Sequence, residues 1–236
     1  MRLLYIFLII ILLLIIYLLY LYFTQKPPLT TTHNAKTTIV IDPAKMENNN
    51  SSNFTYSVWF NVSNWNYRYG EEKVIFQRMN SEGDKAIGAS FNALQNNIDI
   101  DILTYPTTST SASASNGTNM FTCGIDNVPI QRWVNVLVSV YGKSMDVYLD
   151  GKLVRTCVLP GLAKVDSKEN VTLTPSGGFD GYTSKFEYFN VPTNPQQAWN
   201  IYKQGFGGGL VGSLFNKYRI KISFLDNNKS VSSYEL

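Results

Sequence analysis

Residues 3–23 read LLYIFLIIILLLIIYLLYLYF, twenty-one positions without a charge, a glycine or a proline. A helix of that length rises about 31 Å, the thickness of a bilayer's hydrocarbon core. Tyr5 lies near one end and Tyr17, Tyr20 and Tyr22 near the other, where phenol rings favour the headgroup zone. A helix apolar on every face cannot be the surface helix of a small globular domain. A cleaved signal peptide would have a shorter apolar run and a small-residue cleavage site. This run is longer and leaves through Tyr-Phe-Thr-Gln-Lys-Pro-Pro. The expectation is an uncleaved, single-pass signal anchor over residues 1–25, with residues 3–23 in the lipid bilayer.

Orientation has weaker markers. Arg2 precedes the run, and Lys26 and Lys36 follow it, so the positive-inside rule is nearly silent. The remainder carries seven Asn-x-Ser/Thr sequons, at Asn49, Asn50, Asn53, Asn61, Asn116, Asn170 and Asn228, each a possible N-glycosylation site. Cys123 and Cys157 are the two cysteines, and a bridge between them requires an oxidising compartment. Both features place the body on the lumenal or external side.

Composition narrows the chemistry. Twenty Lys plus Arg against 17 Asp plus Glu gives +3 over 236 residues, without a basic stripe for nucleic acid. With 44% hydrophobic and 16% charged residues, the chain is not a disordered one. Two cysteines and the single His33 leave no structural zinc set and little histidine catalysis.

Residues 26–52, with Pro27-Pro28, Thr30–Thr32 and the run 48–52 of Asn and Ser, read as a polar tether. The β-branched stretch 37–41 suggests one short strand within it. From residue 53 the pattern is β. Strands are expected at 54–62, 73–79, 87–91, 98–104, 120–123, 133–141, 145–149, 153–158, 171–174 and 182–189. About ten short strands imply a sandwich or barrel. Asp150-Gly151 suits a two-residue type I′ hairpin turn. Asn194, Pro195 and Gln197 open a short helix that Gly205 closes. Residues 107–118, TTSTSASASNGT, read as an exposed low-complexity loop. Residues 206–236 hold a Gly-rich segment and a strand at 218–224, which either completes the domain or docks on a partner.

These residues resemble the laminin-G-like, concanavalin-A-like jelly-roll superfamily over positions 53–205. Tyr56-Ser57-Val58-Trp59-Phe60 stands as the early strand, followed by Arg132 to Val140, Met145 to Lys152 with its YLDGK, Gly178 to Tyr182, and the helix 194–202. A narrower resemblance is to membrane-anchored laminin-G-like proteins of large DNA viruses infecting algae and protists. It lies in the anchor, the Thr/Asn-rich spacer, the cysteines flanking W…YLDGK and the tail GGGLVGSLFNKYRIKISFLDNN. The resemblance implies an all-β laminin-G-like jelly roll on an anchor, located in a virion membrane or capsid, as a minor capsid or membrane-associated component. Relatives often carry Gly-x-Ile-Asp-Glu-Val-x-Ile-Tyr after the glycine-rich turn. Here Ser184 and Lys185 replace the two acids, weakening any calcium or acid–base role for that stretch.

Ligand chemistry is thinner. Trp65, Tyr67 and Tyr69 alternate with polar neighbours, as rings that stack on sugars do, although rings packed inward at a strand edge give the same pattern. Asp99 and Asp101 share a strand face, the nearest approach to the carboxylate pair of a glycan hydrolase, but no glutamate sits at the required spacing. Alternation alone explains them as the watered side of a strand whose isoleucines face the core. Asp99, Asp101, Asp126, Asp146 and Asp180 make no dense calcium motif, so no metal ligands and no cofactor are assigned, calcium remaining possible. The expected function is a membrane-anchored, non-enzymatic recognition or virion structural protein, with a glycan, capsid or other virion protein as partner. The alternative is a membrane-bound glycan hydrolase of the same superfamily.

Overall fold

The computed structural model describes residues 2–24, 27–105, 119–207, 221–226 and 229–235; in the first helix side chains are described for residues 5–20, and in the last two segments only the backbone is. Helix α1 spans Arg2–Thr24. At 1.5 Å per residue it is about 35 Å long. Its side chains from Tyr5 to Tyr20 are all exposed, Leu13 by 59% and Tyr20 by 62%. Among the described residues no helix is long and apolar enough to cross a membrane.

Twelve strands then build two six-stranded antiparallel sheets. In chain order they are β1 (His33–Asn34), β2 (Ile39–Ile41), β3 (Phe54–Asn64), β4 (Lys73–Met79), β5 (Lys85–Phe91), β6 (Ile98–Thr104), β7 (Asn119–Ile125), β8 (Trp133–Tyr141), β9 (Ser144–Leu149), β10 (Lys152–Val158), β11 (Val171–Leu173) and β12 (Asp180–Phe189). One sheet runs β1-β12-β3-β8-β9-β10, the other β2-β11-β4-β5-β6-β7. Between them lies one core, including Phe54, Tyr56, Phe60, Phe76, Phe91, Phe179 and Phe186. In β6 the isoleucines at 98, 100 and 102 are buried while Asp99 and Asp101 face outward, as period-two alternation dictates.

The first sheet is covered on its outer face too, which is why β3 is buried at nearly every position. The cover is α2 (Pro195–Lys203) and its flanks. Asn194 accepts from the Gln197 amide at 2.8 Å while Gln197 Oε1 accepts from the Asn194 amide at 3.0 Å, a closed capping box. Trp59 stacks on Tyr202 at 5.5 Å, and Phe206 on Trp133 at 4.3 Å. Asp150 and Gly151 take φ of 50° and 73°, the left-handed pair that a type I′ hairpin needs. Lys185, in a bulge of β12 with φ 47°, reaches α2 by donating to Gln204 Oε1 at 2.7 Å. Burial pulls its pKa down, and burial raises that of its neighbour Glu187.

The expected polar tether of 26–52 is corrected by the pairing. His33 and Asn34 extend β12, and residues 39–41 extend β11. Leu29 donates to the Phe186 carbonyl at 2.8 Å and Ala35 to that of Gly181 at 2.9 Å. Arg78, fully buried, donates to the carbonyls of Asn49 and Glu169, fastening the end of this segment. Polar composition did not keep the segment free, because its backbone groups find partners at two open sheet edges. His33, placed by sequence in a spacer, is half-buried in β1 with Nε2 at 2.8 Å from Thr183 Oγ1. Its pKa is lowered, mainly by burial.

Toward the end of the chain, β13 (Lys221–Asp226) and β14 (Lys229–Glu235) pair with each other as an antiparallel ladder, joined to neither sheet among the described residues. The expected loop at 107–118 and most of the Gly-rich segment fall outside the described residues.

Candidate functional site

Three connections meet at the end of the sandwich where β3 leaves its sheet: the turn after Asn64, the 92–97 link from β5 to β6, and the 126–132 link from β7 to β8. Between them is a cleft of about 720 Å³. Trp65, Gln95, Asn96, Asn97, Asp126 and Asn127 line it, with Leu94 and Ile130. Asparagine side chains hold the loops in register. Asn96 Nδ2 donates to the Val128 carbonyl at 3.0 Å, and the Val128 amide returns to the Asn96 carbonyl at 2.8 Å. Asn97 Oδ1 accepts from the Asn127 amide at 3.0 Å, while its Nδ2 donates to Gln95 Oε1 at 3.0 Å. Asn127 sits at φ 55°, a conformation asparagine tolerates better than most residues.

Trp65 meets Phe91 edge-on at 5.7 Å, with Lys73 Nζ 4.6 Å from the centre of its own ring. Burial lowers the pKa of Lys73. Asp126 is exposed, and its carboxylate has no partner among the described residues. The arrangement offers a ring of fixed orientation, an open carboxylate and several amide groups within one concave surface. Such groups suit a polyhydroxylated ligand, whose C–H faces stack and whose hydroxyls both donate and accept.

Of the five sequence-expected ligand residues, Trp65 lines this cleft. Tyr67 lies under Lys36 Nζ, 4.7 Å from its ring centre, and Tyr69 is 60% exposed. Arg68 between them has φ 52°, so the turn breaks the alternation that would have aligned all three rings. Asp99 and Asp101 are on the outer face of the second sheet. Asp101 accepts from Lys85 Nζ at 2.8 Å and from Thr122 Oγ1 at 2.7 Å, and Asp99 flanks Gly124 on the next strand. Asn96, Asn97 and Asn127 carry no ligand signal in the sequence, because Asn at strand ends reads equally well as a turn former, and Asp126 enters there only among the carboxylates weighed for calcium.

The other expected positions are dispersed. Cys123 and Cys157 form a disulfide joining β7 to β10, one strand from each sheet. Asp146 accepts from Thr156, and Asp180 pairs with Lys36 at 3.0 Å. Among the described residues no three His, Cys, Asp or Glu side chains converge as a metal site would require. Asn50 and Asn170 are exposed and Asn61 is half-buried on β3. Asn49 donates to the Pro43 carbonyl, and Asn53 accepts from the Gly142 amide. Asn116 and Asn228 lie outside the described residues.

The chain is thus a sandwich of two six-stranded antiparallel sheets with loops forming a cleft at one end. The family model for the Concanavalin A-like lectin/glucanases superfamily, in its Laminin_G_3 form, matches residues 34–198. The chain belongs to this superfamily. The match begins inside β1 and so takes in the segment that sequence had assigned to a tether. Among solved structures, the botulinum neurotoxin serotype D binding domain superposes with a TM-score of 0.55 at 13% identity, covering 73% of this chain and 42% of that one. The serotype D ligand binding domain in complex with N-acetylneuraminic acid gives 0.55 at 14% identity, over 73% and 42%. The receptor binding domain of the C/D mosaic serotype gives 0.55 at 14%, with the same coverage. This chain thus spans less than half the length of those domains, and at such identity the likeness is one of fold. No curated protein sequence matches the chain.

Proposed function

We propose that this protein is a membrane-anchored, non-enzymatic recognition module whose cleft around Trp65 binds a glycan. The observation that carries the reading is the convergence of one oriented indole with the Asn97 and Asn127 amides and the open Asp126 carboxylate. The superfamily supports it, and so does the sialic acid held by one domain of similar fold. A hydrolase needs two carboxylates flanking the scissile bond, about 5–5.5 Å apart for retention. Asp101, engaged by Lys85 and Thr122 on a sheet's outer face, argues for recognition instead. The uniformly apolar, exposed α1 is the proposed anchor, which fails if carbonate washing releases the chain from vesicles. A virion membrane or capsid is the proposed location, tested by an inventory of purified particles.

A glycan array probed with the full chain in detergent micelles tests the binding. Asp126→Ala removes an exposed group with no partner among the described residues, and circular dichroism of the variant is expected to match the parent. A lost hydrogen bond to a charged group costs about 1.5–3 kcal/mol, weakening binding roughly tenfold or more. No glycan bound by the parent chain, or parental affinity in the variant, would refute the assignment.

A further inference from the structure

Six exposed apolar side chains of the sandwich gather at one end, while Val40, Leu153, Val154, Tyr182 and Trp199 are exposed singly along its faces. Tyr105, Met120, Tyr141, Val158, Leu162 and Val191 are each between 46% and 75% exposed. Strand register puts them on one rim. Tyr141 pairs with Ser144, which pairs with Val158. Val191 lends its carbonyl to Thr55, opposite Phe189. On the other sheet Met120 pairs with Leu103, and Tyr105 donates to the Leu162 carbonyl at 2.9 Å.

This is also the rim where the chain arrives from α1. Pro27, Pro28 and Leu29 border a cavity of about 520 Å³ with Tyr188, Phe189 and Val191. Leu29 is pinned to β12, five residues beyond the last residue of the helix, Thr24. Five extended residues reach about 17 Å at most, so the rim cannot stand far from wherever the helix ends. The Trp65 cleft lies at the opposite end, since Asn64 pairs with Asp180 while Thr55 pairs with Phe189. That end exposes Leu94 and Tyr69 amid asparagines. Charge on the apolar rim is mixed: Lys45, Lys143 and Lys168 stand among Glu47, Glu82 and Asp84.

We infer that this rim lies on the bilayer that receives α1, its tyrosine and aliphatic side chains set into the headgroup boundary. The inference rests on the anchor reading of α1 and goes beyond it by making the body itself a lipid-contacting surface. Tyrosines with aliphatic neighbours favour that depth. The balanced charge makes the attraction apolar, so it does not require anionic lipid.

The test uses the full chain in phosphatidylcholine vesicles, with Tyr141→Cys or Val158→Cys carrying a fluorophore and Leu94→Cys as the label beside the cleft. Quenching by doxyl-labelled lipid is expected to be roughly threefold stronger at 141 and 158 than at 94, and unchanged in about 1 M salt, where a screened charge contact would fade. Equal quenching at all three positions, with the chain retained after carbonate washing, overturns the inference alone. Release of the chain by that washing overturns the anchor and the inference together.

Discussion

The disulfide between Cys123 and Cys157 is the covalent link whose removal is most readily put in numbers. It joins β7 to β10 across 34 positions of sequence, with the two Cα atoms 6.3 Å apart. Closing a loop of that size in the unfolded chain removes entropy worth about 4 kcal/mol at room temperature. The double variant Cys123→Ala/Cys157→Ala also takes two buried sulfurs out of the core. The reduced parent, which keeps both, therefore isolates the loop term, and Arg155 still donates to the Gly124 carbonyl at 2.7 Å in either case. With a urea dependence of about 2 kcal/mol per molar, the unfolding midpoint should fall by about 2 M. The assay follows tryptophan fluorescence of the full chain in mild detergent, parent against double variant, with reduced parent as a third arm. A shift worth less than about 1 kcal/mol would refute the loop-entropy reasoning, placing the two strands near each other even in the unfolded chain.

Two more outcomes follow from local geometry. Gly181 has φ 154°, and a Cβ there would sit 1.9 Å from the Asn61 carbonyl oxygen. Gly181→Ala should therefore cost on the order of 4 kcal/mol or more and leave little folded protein, which circular dichroism checks. Tyr188 has its pKa raised to about 12, mainly by burial, and burial raises that of Tyr56 as well. The folded state keeps protons that the unfolded state surrenders, so stability should fall from about pH 10.5 to about 12. Lys73 and Lys185, whose pKa values are depressed, favour the fold as pH rises, but only up to about 10.5. Urea midpoints that rise across the upper window would contradict this.

Much of the sandwich was legible because its strands carry period-two burial and β-branched residues. The strands at 73–79, 98–104 and 133–141 fall where the alternation puts them, and Asp-Gly and the Asn194 cap act as their chemistry requires. The β-branched stretch 37–41 announced β2, at Ile39–Ile41, but neither its place in a sheet nor the two-residue β1 was legible. What places them is a set of non-local bonds, Leu29 to Phe186 and Ala35 to Gly181 among them, that no local window contains. The cleft was half legible. Trp65 stood out as an aromatic among polar residues, but the same pattern pointed to Tyr67 and Tyr69, and the left-handed Arg68 separates them. Asn96, Asn97 and Asn127 serve at once as loop ties and as cleft lining, and only the second role concerns a ligand.

The edges of the two sheets bear on how copies would behave when crowded side by side. A long, bare β-edge is a template on which a neighbouring chain can add its own backbone. On one flank β7 and β10 are locked to each other by the disulfide and Arg155, and β10 is further interrupted by a bulge between Leu153 and Arg155. On the other, β1 and β2 offer ladders only two and three residues long. On these two flanks the sandwich therefore gives a neighbouring copy little backbone to build on, and the longer ladder edges are those of β13 and β14.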